Sequence, residues 1–338
     1  LTSVMGLPLA ARFTQFVVTF LVSLHLLWRW IRTGGKALET KDRRLSRKLI
    51  YGYKHKHIML PSGVNMHYVE AGDASAPLMV FVHGFPEFWY TWRHQIEHFK
   101  DRFRVVAIDQ RGYGESSKPQ NIADYSQTLL AKDIDDLIHG LGYSDAVVVG
   151  HDWGAFVAWA HAILFPQSVR RLVICNVPHP AAYGRLLKTN EKQRKMSWYV
   201  FFYQTPWIPE AMIAADDFEL LEKLFWDKAT GLRNKDNFTA EDMEAWKYTF
   251  SQPDCLRSAI NYYRCKFQYP EDEKFERKCK PKTLILWGDG DKFLVKEGAT
   301  LSAEQWCEDA TLHFIPGASH WIQQDEPDVL NKHIDEFV

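Results

Sequence analysis

Asp152 is the side chain with the clearest capacity for chemistry in this sequence of 338 residues. It follows an apolar run at residues 147–149 and stands midway between Gly150 and Gly154. That spacing is typical of a sharp strand-to-helix turn, in which small residues let two backbones approach and the central residue is strained. We therefore predict a nucleophile elbow with Asp152 at its apex, followed by a buried helix over residues 155–164. The simpler alternative is that Asp152 only caps this helix.

A carboxylate nucleophile suits one kind of reaction. Because aspartate is ionised at neutral pH, it attacks a saturated carbon without a base and forms an ester on the enzyme. That ester must then be hydrolysed, which requires a base to activate water and an acid to orient the base. Asp291 and His320 each follow a predicted strand, and the chain order is nucleophile, acid, histidine. Asp289 is the alternative to Asp291.

The hydrolysis of an ester on Asp152 also needs donors for the negative oxygen of its tetrahedral intermediate. The amide of Trp153, directly after the nucleophile, is one expected donor. The second is expected in the segment 83–86, where Gly84 permits a tight turn that lets the Phe85 amide point inward. We predict an oxyanion hole built from Phe85 and Trp153.

The elements that must position these residues alternate between short apolar runs and helical segments from about residue 51. This pattern predicts an α/β fold with a mostly parallel sheet flanked by helices. Between residues 178 and 280, aromatic residues at helical spacing replace the strand pattern, which predicts a helical lid over the carboxyl edge of the sheet. The eight predicted strands cover residues 57–60, 66–70, 78–82, 104–108, 146–150, 171–175, 283–287 and 311–314, and a crossover helix covers 125–140. The predicted domains are an amino-terminal segment at 1–48, the first part of the core at 49–178, the lid at 179–280 and the second part of the core at 281–338.

The amino-terminal segment, residues 1–48, differs from the rest. Residues 13–28 contain no charged side chain and are bounded by Arg12 and Arg29. This run predicts an uncleaved transmembrane anchor, with a cleaved signal peptide as the alternative. Lys and Arg cluster on its carboxyl side, so by the positive-inside rule we expect the catalytic part to face the cytosol. The expected location is a membrane of the endoplasmic reticulum or microsomes.

The composition argues against several other functions. Lys and Arg number 41 against 42 Asp and Glu, a net charge of -1, which disfavours nucleic acid as the main partner. The 5 cysteines are odd in number and lack C-x-x-C spacing, so we expect reduced thiols. The sequence contains no phosphate-binding glycine loop and no His/Cys cluster at metal-ligand spacing, so we expect neither a cofactor nor a metal.

Several motifs in the chain resemble those of one enzyme family. They are similar to the epoxide hydrolases of the α/β-hydrolase superfamily, most closely to the membrane-anchored animal branch related to soluble epoxide hydrolase. The similarity covers roughly residues 51–338 and implies the α/β-hydrolase fold with an eight-stranded sheet and an inserted helical lid. The motifs are His83-Gly84-Phe85-Pro86-Glu87 with Trp92-Arg93, Asp109-Gln110-Arg111-Gly112-Tyr113-Gly114-Glu115-Ser116, Gly150-His151-Asp152-Trp153-Gly154 and Gly317-Ala318-Ser319-His320-Trp321.

The resemblance also implies a pair of acids. In that family two lid tyrosines protonate the opening epoxide, and matching the pattern puts them at Tyr199 and Tyr263. Tyr203 and Tyr262 are the adjacent alternatives. A phenol with a pKa near 10 can stabilise the alkoxide that forms when a three-membered ether opens.

The leading hypothesis is therefore cofactor-independent hydrolysis of an apolar, lipid-type epoxide to a vicinal diol. Asp152 would form the ester, and water activated by His320 would hydrolyse it. The expected partners are an apolar epoxide, water and a membrane. One alternative is a haloalkane dehalogenase, although Phe85 lacks the side-chain N–H that a halide needs. The other is a catalytically silent binding protein on the same fold.

Overall fold

A single sheet forms the centre of the computed structural model, which describes residues 9–39, 41–50 and 52–338. Its eight strands are β1 (Lys54–Met59), β2 (Asn65–Ala71), β3 (Leu78–Val82), β4 (Arg104–Ile108), β5 (Ala146–His151), β6 (Val169–Cys175), β7 (Thr283–Gly288) and β8 (Ala310–Ile315). They lie in the order β1-β2-β4-β3-β5-β6-β7-β8. β2 pairs antiparallel with β1 and β4, and the other pairs are parallel. The predicted α/β fold is confirmed.

Packing covers both faces of the central strands, and every residue of β3, β5 and β7 is buried. This explains why these strands appear in the sequence as largely continuous apolar runs, without the alternation of a half-exposed strand. The edge strand β1 begins at Lys54 rather than at residue 57 as predicted. Its alternating Lys and His residues suit an exposed edge and hide the hydrophobic pattern.

Helices flank this sheet and build the remaining layers. In the described ranges they are α1 (Leu9–Arg32), α2 (Arg47–Ile50), α3 (Arg93–Phe99), α4 (Gln127–Gly140), α5 (Trp153–Leu164), α6 (Pro180–Thr189), α7 (Glu191–Met196), α8 (Trp198–Phe202), α9 (Ile208–Trp226), α10 (Ala240–Ser251), α11 (Cys255–Gln268), α12 (Glu297–Trp306), α13 (Ile322–Asp325) and α14 (Pro327–Phe337). The crossover helix α4 begins where Ser126 accepts a hydrogen bond from the amide of Leu129, as an N-cap serine does. α5 packs against β5 and β6 and carries the turn at Asp152.

The lid helices α6 to α11 lie between β6 and β7 in the chain. Aromatic residues form their interior: Phe225 and Phe238 stack with ring centroids 4.8 Å apart, and Trp246 packs edge-on against both. The indole of Trp246 also donates to the carbonyl of Pro86, 2.8 Å away, in the core. This contact fixes the lid over the segment that carries the Phe85 amide.

The expected transmembrane anchor is not found, because no helix in the described ranges is long and apolar enough to cross a bilayer. The apolar run 13–28 lies inside α1, where polar side chains interrupt it. Gln15 and Thr19 turn toward the lid and hydrogen-bond to the Thr205 hydroxyl at 3.3 and 2.8 Å. Arg29 forms an ion pair of 2.6 Å with Asp216 at a break in α9. α1 therefore packs along the lid.

Candidate active site

The turn between β5 and α5 has the geometry of a nucleophile elbow. Asp152 is at its apex with φ 49° and ψ −124°, a strained conformation for a residue with a side chain. A Cβ on Gly150 would lie 2.6 Å from the Gly154 carbonyl oxygen, and one on Gly154 would lie 2.1 Å from that of Val82. Both positions therefore require glycine, which accounts for the sequence pattern around the aspartate.

Asp152, His320 and Asp291 lie side by side at the carboxyl edge of the sheet. His320 Nε2 is 3.4 Å from Asp152 Oδ2, and His320 Nδ1 is 2.7 Å from Asp291 Oδ2. All three side chains are almost completely buried. Asp289, the alternative acid, points elsewhere and accepts a hydrogen bond from the amide of Gly317. The imidazole of His320 can therefore reach the carboxylates of both Asp152 and Asp291.

Asp291 is itself held by neighbours that the sequence reasoning did not identify. Asn176 donates to Asp291 Oδ2 at 2.7 Å, and the amides of Phe293 and Leu294 donate to Oδ1 at 2.7 and 3.0 Å. Asn176 follows β6, the neighbour of β7, with φ 55°. The acid is thus fixed before any substrate arrives.

Opposite charges dominate the electrostatics of this group. Burial lowers the pKa of His320, but the charge of Asp291 and the hydrogen bonds to Asp152 and Asp291 raise it to about 10. Burial raises the pKa of Asp152, but the hydrogen bond and charge of His320 outweigh it and hold this pKa below its usual value. In the resting site an imidazolium therefore lies between two carboxylates.

The Phe85 amide approaches Asp152 as the predicted oxyanion hole requires. It donates to Asp152 Oδ1 at 2.8 Å, while Oδ2 faces His320. Gly84 allows this approach, since a Cβ there would lie 2.3 Å from that of Asp152. The amide of Trp153 stands at the first position of α5 and makes no hydrogen bond to the Asp152 carboxylate within the described part of the chain. In this state only one of the two predicted donors contacts the nucleophile.

A buried polar network behind the nucleophile was also missed. Glu87 accepts from the Gly84 amide at 3.1 Å and lies 2.7 Å from His151 Nδ1, and His151 Nε2 lies 2.8 Å from the carbonyl oxygen of His320. This network connects the Phe85 loop, the elbow and the histidine. Glu87 and His151 both belong to the motifs quoted above. Their position in the sequence beside the catalytic candidates was the signal that could have identified them.

Three lid tyrosines line the cavity above Asp152, and a fourth does not. Tyr199, Tyr203 and Tyr263 border it, whereas the Tyr262 hydroxyl donates to the Arg111 carbonyl at 2.8 Å, away from the nucleophile. Burial, together with nearby charge, raises the pKa of Tyr199 and of Tyr263 well above 10. Within the described ranges neither of these two hydroxyls has a hydrogen-bond partner, so both remain protonated donors that are free to bind a ligand.

The cavity has a volume of about 750 Å³ and extends from Asp152 and His320 to the surface between core and lid. Apolar side chains form much of its wall, including Met196, Met212, Leu220, Leu224, Phe293, Trp198 and Trp321. Lys192, Lys195 and Lys292 line its outer part and are exposed. The site thus combines a reactive carboxylate, apolar walls and a basic rim.

Comparisons with known proteins agree with this geometry. A family model described as the alpha/beta hydrolase fold matches residues 77–327. Epoxide hydrolase 2 of Caenorhabditis elegans is 42% identical over 324 residues, which cover 96% of this chain and 90% of that protein. Epoxide hydrolase 4 of Homo sapiens is 43% identical over 278 residues, covering 82% and 76%. The crystal structure of an epoxide hydrolase from Bacillus megaterium matches with a TM-score of 0.75 and 34% identity, covering 83% of this chain and 99% of that one.

Proposed function

Given that the chain belongs to the epoxide hydrolases of the α/β-hydrolase superfamily, we propose that it opens epoxides in two covalent steps on Asp152. The observation that carries this proposal is the placement of the Asp152 carboxylate. One oxygen is held by the Phe85 amide and the other faces His320, at the inner end of an apolar cavity. Each oxygen therefore has a different environment and a different role.

In the first step, Asp152 Oδ2 attacks a ring carbon of the epoxide. A carbon–oxygen bond of the ring breaks as the ester bond forms, and the departing oxygen takes a proton from Tyr199 or Tyr263. Oδ1 becomes the ester carbonyl oxygen, because the Phe85 amide already holds it. An unactivated alkoxide is a poor leaving group, so the two phenols supply stabilisation that the ring oxygen needs.

Esterification then changes the proton affinity of His320. The pKa of His320 is raised partly by the hydrogen bond and charge of Asp152, and this contribution disappears when Asp152 becomes a neutral ester. The imidazolium can then release its proton, which neutralises the phenolate left by the first step. His320 thus becomes a base at the stage that requires one.

In the second step, His320, oriented by Asp291, takes a proton from water, and the hydroxide adds to the ester carbonyl. The Phe85 amide, joined by that of Trp153, stabilises the negative Oδ1. Collapse of the intermediate expels the diol oxygen, which takes the proton from His320. Asp152, now carrying one oxygen from water, loses a proton to His320 and the resting ion pair is restored.

A single turnover in water labelled with heavy oxygen tests this sequence. We expect the first diol to contain unlabelled oxygen and the peptide containing Asp152 to gain the label, because the new diol oxygen comes from the carboxylate. Labelled diol from the first turnover would show direct attack of water and refute the ester. The matched control is Asp152→Asn, which keeps the shape of the side chain but removes its charge. This variant should form no ester in the first turnover.

We propose lipid-type epoxides as substrates. The apolar walls accommodate a hydrocarbon chain, and the lysines at the rim fit an acidic end group. Lys195 is partly engaged by Glu191 at 2.8 Å, so Lys192 and Lys292 are the better test. Lys192→Ala combined with Lys292→Ala should raise KM for a long-chain epoxy acid and leave KM for the corresponding epoxy alcohol unchanged. Equal effects on both would contradict recognition of the acid.

We further propose that α1 rests on a membrane surface. Gln15 and Thr19 turn toward the lid, whereas large apolar side chains on the other side of α1 are exposed, among them Phe13, Phe16, Phe20, Leu24 and Leu27. Such a face favours the interfacial region of a bilayer. Flotation with phosphatidylcholine vesicles should fall for Phe16→Asp with Phe20→Asp, and should not fall for Val329→Asp on α14. The location at the cytosolic side of the endoplasmic reticulum stays a prediction, which fractionation of expressing cells can test.

A further inference from the structure

Three histidines lie together on the β1–β2 pair, away from the catalytic cavity. His57 pairs directly with His67 across the two antiparallel strands, and His55 is two residues from His57, on the same face. The ring centroids of His55 and His67 are 5.2 Å apart, and those of His57 and His67 are 5.0 Å apart. Glu115 lies in the turn after β4, and its Oε2 is 3.7 Å from His57 Nε2.

Hydrogen bonds fix the tautomers of His55 and His67, in each case through the outer nitrogen, which is the ring nitrogen that faces away from the other ring. His67 Nδ1 is 2.7 Å from Asp109 Oδ2, and an ionised carboxylate can only accept, so Nδ1 must donate. His55 Nε2 is 2.5 Å from the Leu49 carbonyl oxygen, which also only accepts. In their neutral forms both rings therefore present a lone pair from the remaining nitrogen.

These two lone pairs face each other. His55 Nδ1 and His67 Nε2 are only 2.9 Å apart, and with both outer nitrogens already donating, neither inner nitrogen of the neutral rings has a proton to offer. Two lone pairs at this distance repel, so a positive charge is needed there: either a further proton on one ring, which turns the contact into an N–H···N hydrogen bond, or a metal ion that accepts both lone pairs. On each ring the other nitrogen donates its N–H to a carboxylate or a backbone carbonyl. The same arrangement orients the histidine ligands of metal sites.

A third donor and an access route are present at the same place. Ligand atoms of His55, His67 and Glu115 all lie within 4.8 Å of one another. A cavity of about 270 Å³ is lined by His55, Asp109 and Glu115 and bordered by α10 of the lid. Lys118 also borders it, but its ammonium donates to the carbonyls of Gly114 and Ser116. His55 and Glu115 border this open space, which leaves a coordination position for water.

We propose that His55, His67 and Glu115 bind a divalent transition-metal ion of the zinc class, with His57 or water completing the coordination. Tetrahedral zinc with bonds of about 2.0–2.2 Å holds its ligands roughly 3.3–3.6 Å apart, so small side-chain rotations bring the three donors to that spacing. The ion joins β1, β2 and the turn after β4. None of the three ligands lines the catalytic cavity, so the role of the ion is to hold this edge of the sheet together, and epoxide turnover does not require it.

Zinc binding to the full chain, stripped of metal by a chelator, tests the site. Competition with a chromophoric zinc chelator should show one tight ion per chain. Glu115→Gln and His55→Gln each remove a proposed direct ligand, so each should weaken binding by more than the roughly 10- to 100-fold that loss of an outer-shell partner costs. The matched control is His313→Gln, because His313 and His333 form another stacked pair, with centroids 4.4 Å apart, that is not grouped with a carboxylate. That variant should bind zinc as the wild type does.

Two further measurements make the result decisive. Zinc should raise the melting temperature of the wild type and of His313→Gln, but not that of Glu115→Gln, because an ion that binds only the folded state stabilises it. Anomalous diffraction at the zinc edge should place the ion between His55 and His67. The proposal is wrong if the wild type binds no zinc, if both ligand variants bind it normally, or if the ion lies at His320.

Discussion

The proposed acid role of the lid tyrosines leads to the sharpest prediction. Replacing Tyr199 or Tyr263 with phenylalanine removes one phenol from the cavity above Asp152 while leaving the ring. Neither hydroxyl has a hydrogen-bond partner within the described ranges, so the change leaves no protein group newly unpaired there. The loss should therefore appear mainly as weaker stabilisation of the departing ring oxygen.

The magnitude follows from the kind of hydrogen bond. A bond to a charged oxygen contributes roughly 1.5–3 kcal/mol, which corresponds to a slowing of ester formation by about 10- to 150-fold for each single variant. The double variant loses both donors and should form the ester more slowly than either single variant. Rapid quenching of a single turnover, followed by mass analysis of the intact protein, measures this step directly because the ester adds the mass of the epoxide.

Tyr203→Phe is the matched control. Tyr203 borders the same cavity, and its ring centroid is 4.9 Å from that of Tyr263, yet it is not assigned as an acid. Its removal should leave the rate of ester formation close to that of the wild type. The assignment is refuted if Tyr203→Phe is the slow variant, or if Tyr199→Phe and Tyr263→Phe both form the ester at the wild-type rate.

Three other predictions concern the histidine and the elbow. His320→Gln should accumulate the Asp152 ester, seen as a stable mass increase, because ester formation does not need the base and hydrolysis does; rapid return to the unmodified mass would contradict this. The pKa of His320 is raised from 6.5 to about 10, so its ion pairs stabilise the fold in full below pH 6.5 and lose this contribution as the pH rises toward 10. The difference in unfolding free energy between wild type and His320→Gln, measured in urea, should therefore shrink over that range, and a constant difference would count against the ion pairs. Gly154→Ala should destabilise the protein by about 1–3 kcal/mol or more, because its Cβ would lie 2.1 Å from the Val82 carbonyl oxygen. Gly184→Ala in α6, where nothing lies within 4 Å of the new Cβ, should be neutral or stabilising in the same assay.

Features that depend on a short stretch of sequence could be predicted well. β3 and β4 have the predicted bounds, Leu78–Val82 and Arg104–Ile108, because a buried parallel strand needs an apolar run and little else. The elbow at Asp152 could be predicted from the spacing of its glycines, because Gly150 meets the backbone of Gly154 within the same turn, although the contact of Gly154 with Val82 in β3 appears only in the fold. The start of β1 could not, since an edge strand with Lys and His on it has no clear hydrophobic period.

Features that depend on contacts distant in sequence were missed or left open. The sequence alone did not separate Tyr262 from Tyr263, because only the packed lid shows that the Tyr262 hydroxyl is bound to the Arg111 carbonyl. His55, His67 and Glu115 do not stand at a recognisable metal-ligand spacing in the sequence. They come together only through the strand register and the turn after β4. The apolar run in α1 predicted a membrane span. The contacts of Gln15 and Thr19 with the lid depend on tertiary structure, so the sequence did not reveal them.

The lid leaves the core after β6 and returns at β7, and these two strands are hydrogen-bonded neighbours. A segment whose two ends meet at adjacent strands can be lengthened, shortened or exchanged without shifting the register of the sheet. Asp152, His320 and Asp291, the proposed nucleophile, base and orienting acid, all belong to the core, so they can be inherited unchanged while the lid above them diversifies. Selection for new epoxides can thus act on the exchangeable lid, provided that it preserves Tyr199 and Tyr263, the part of the proposed chemistry that the lid supplies.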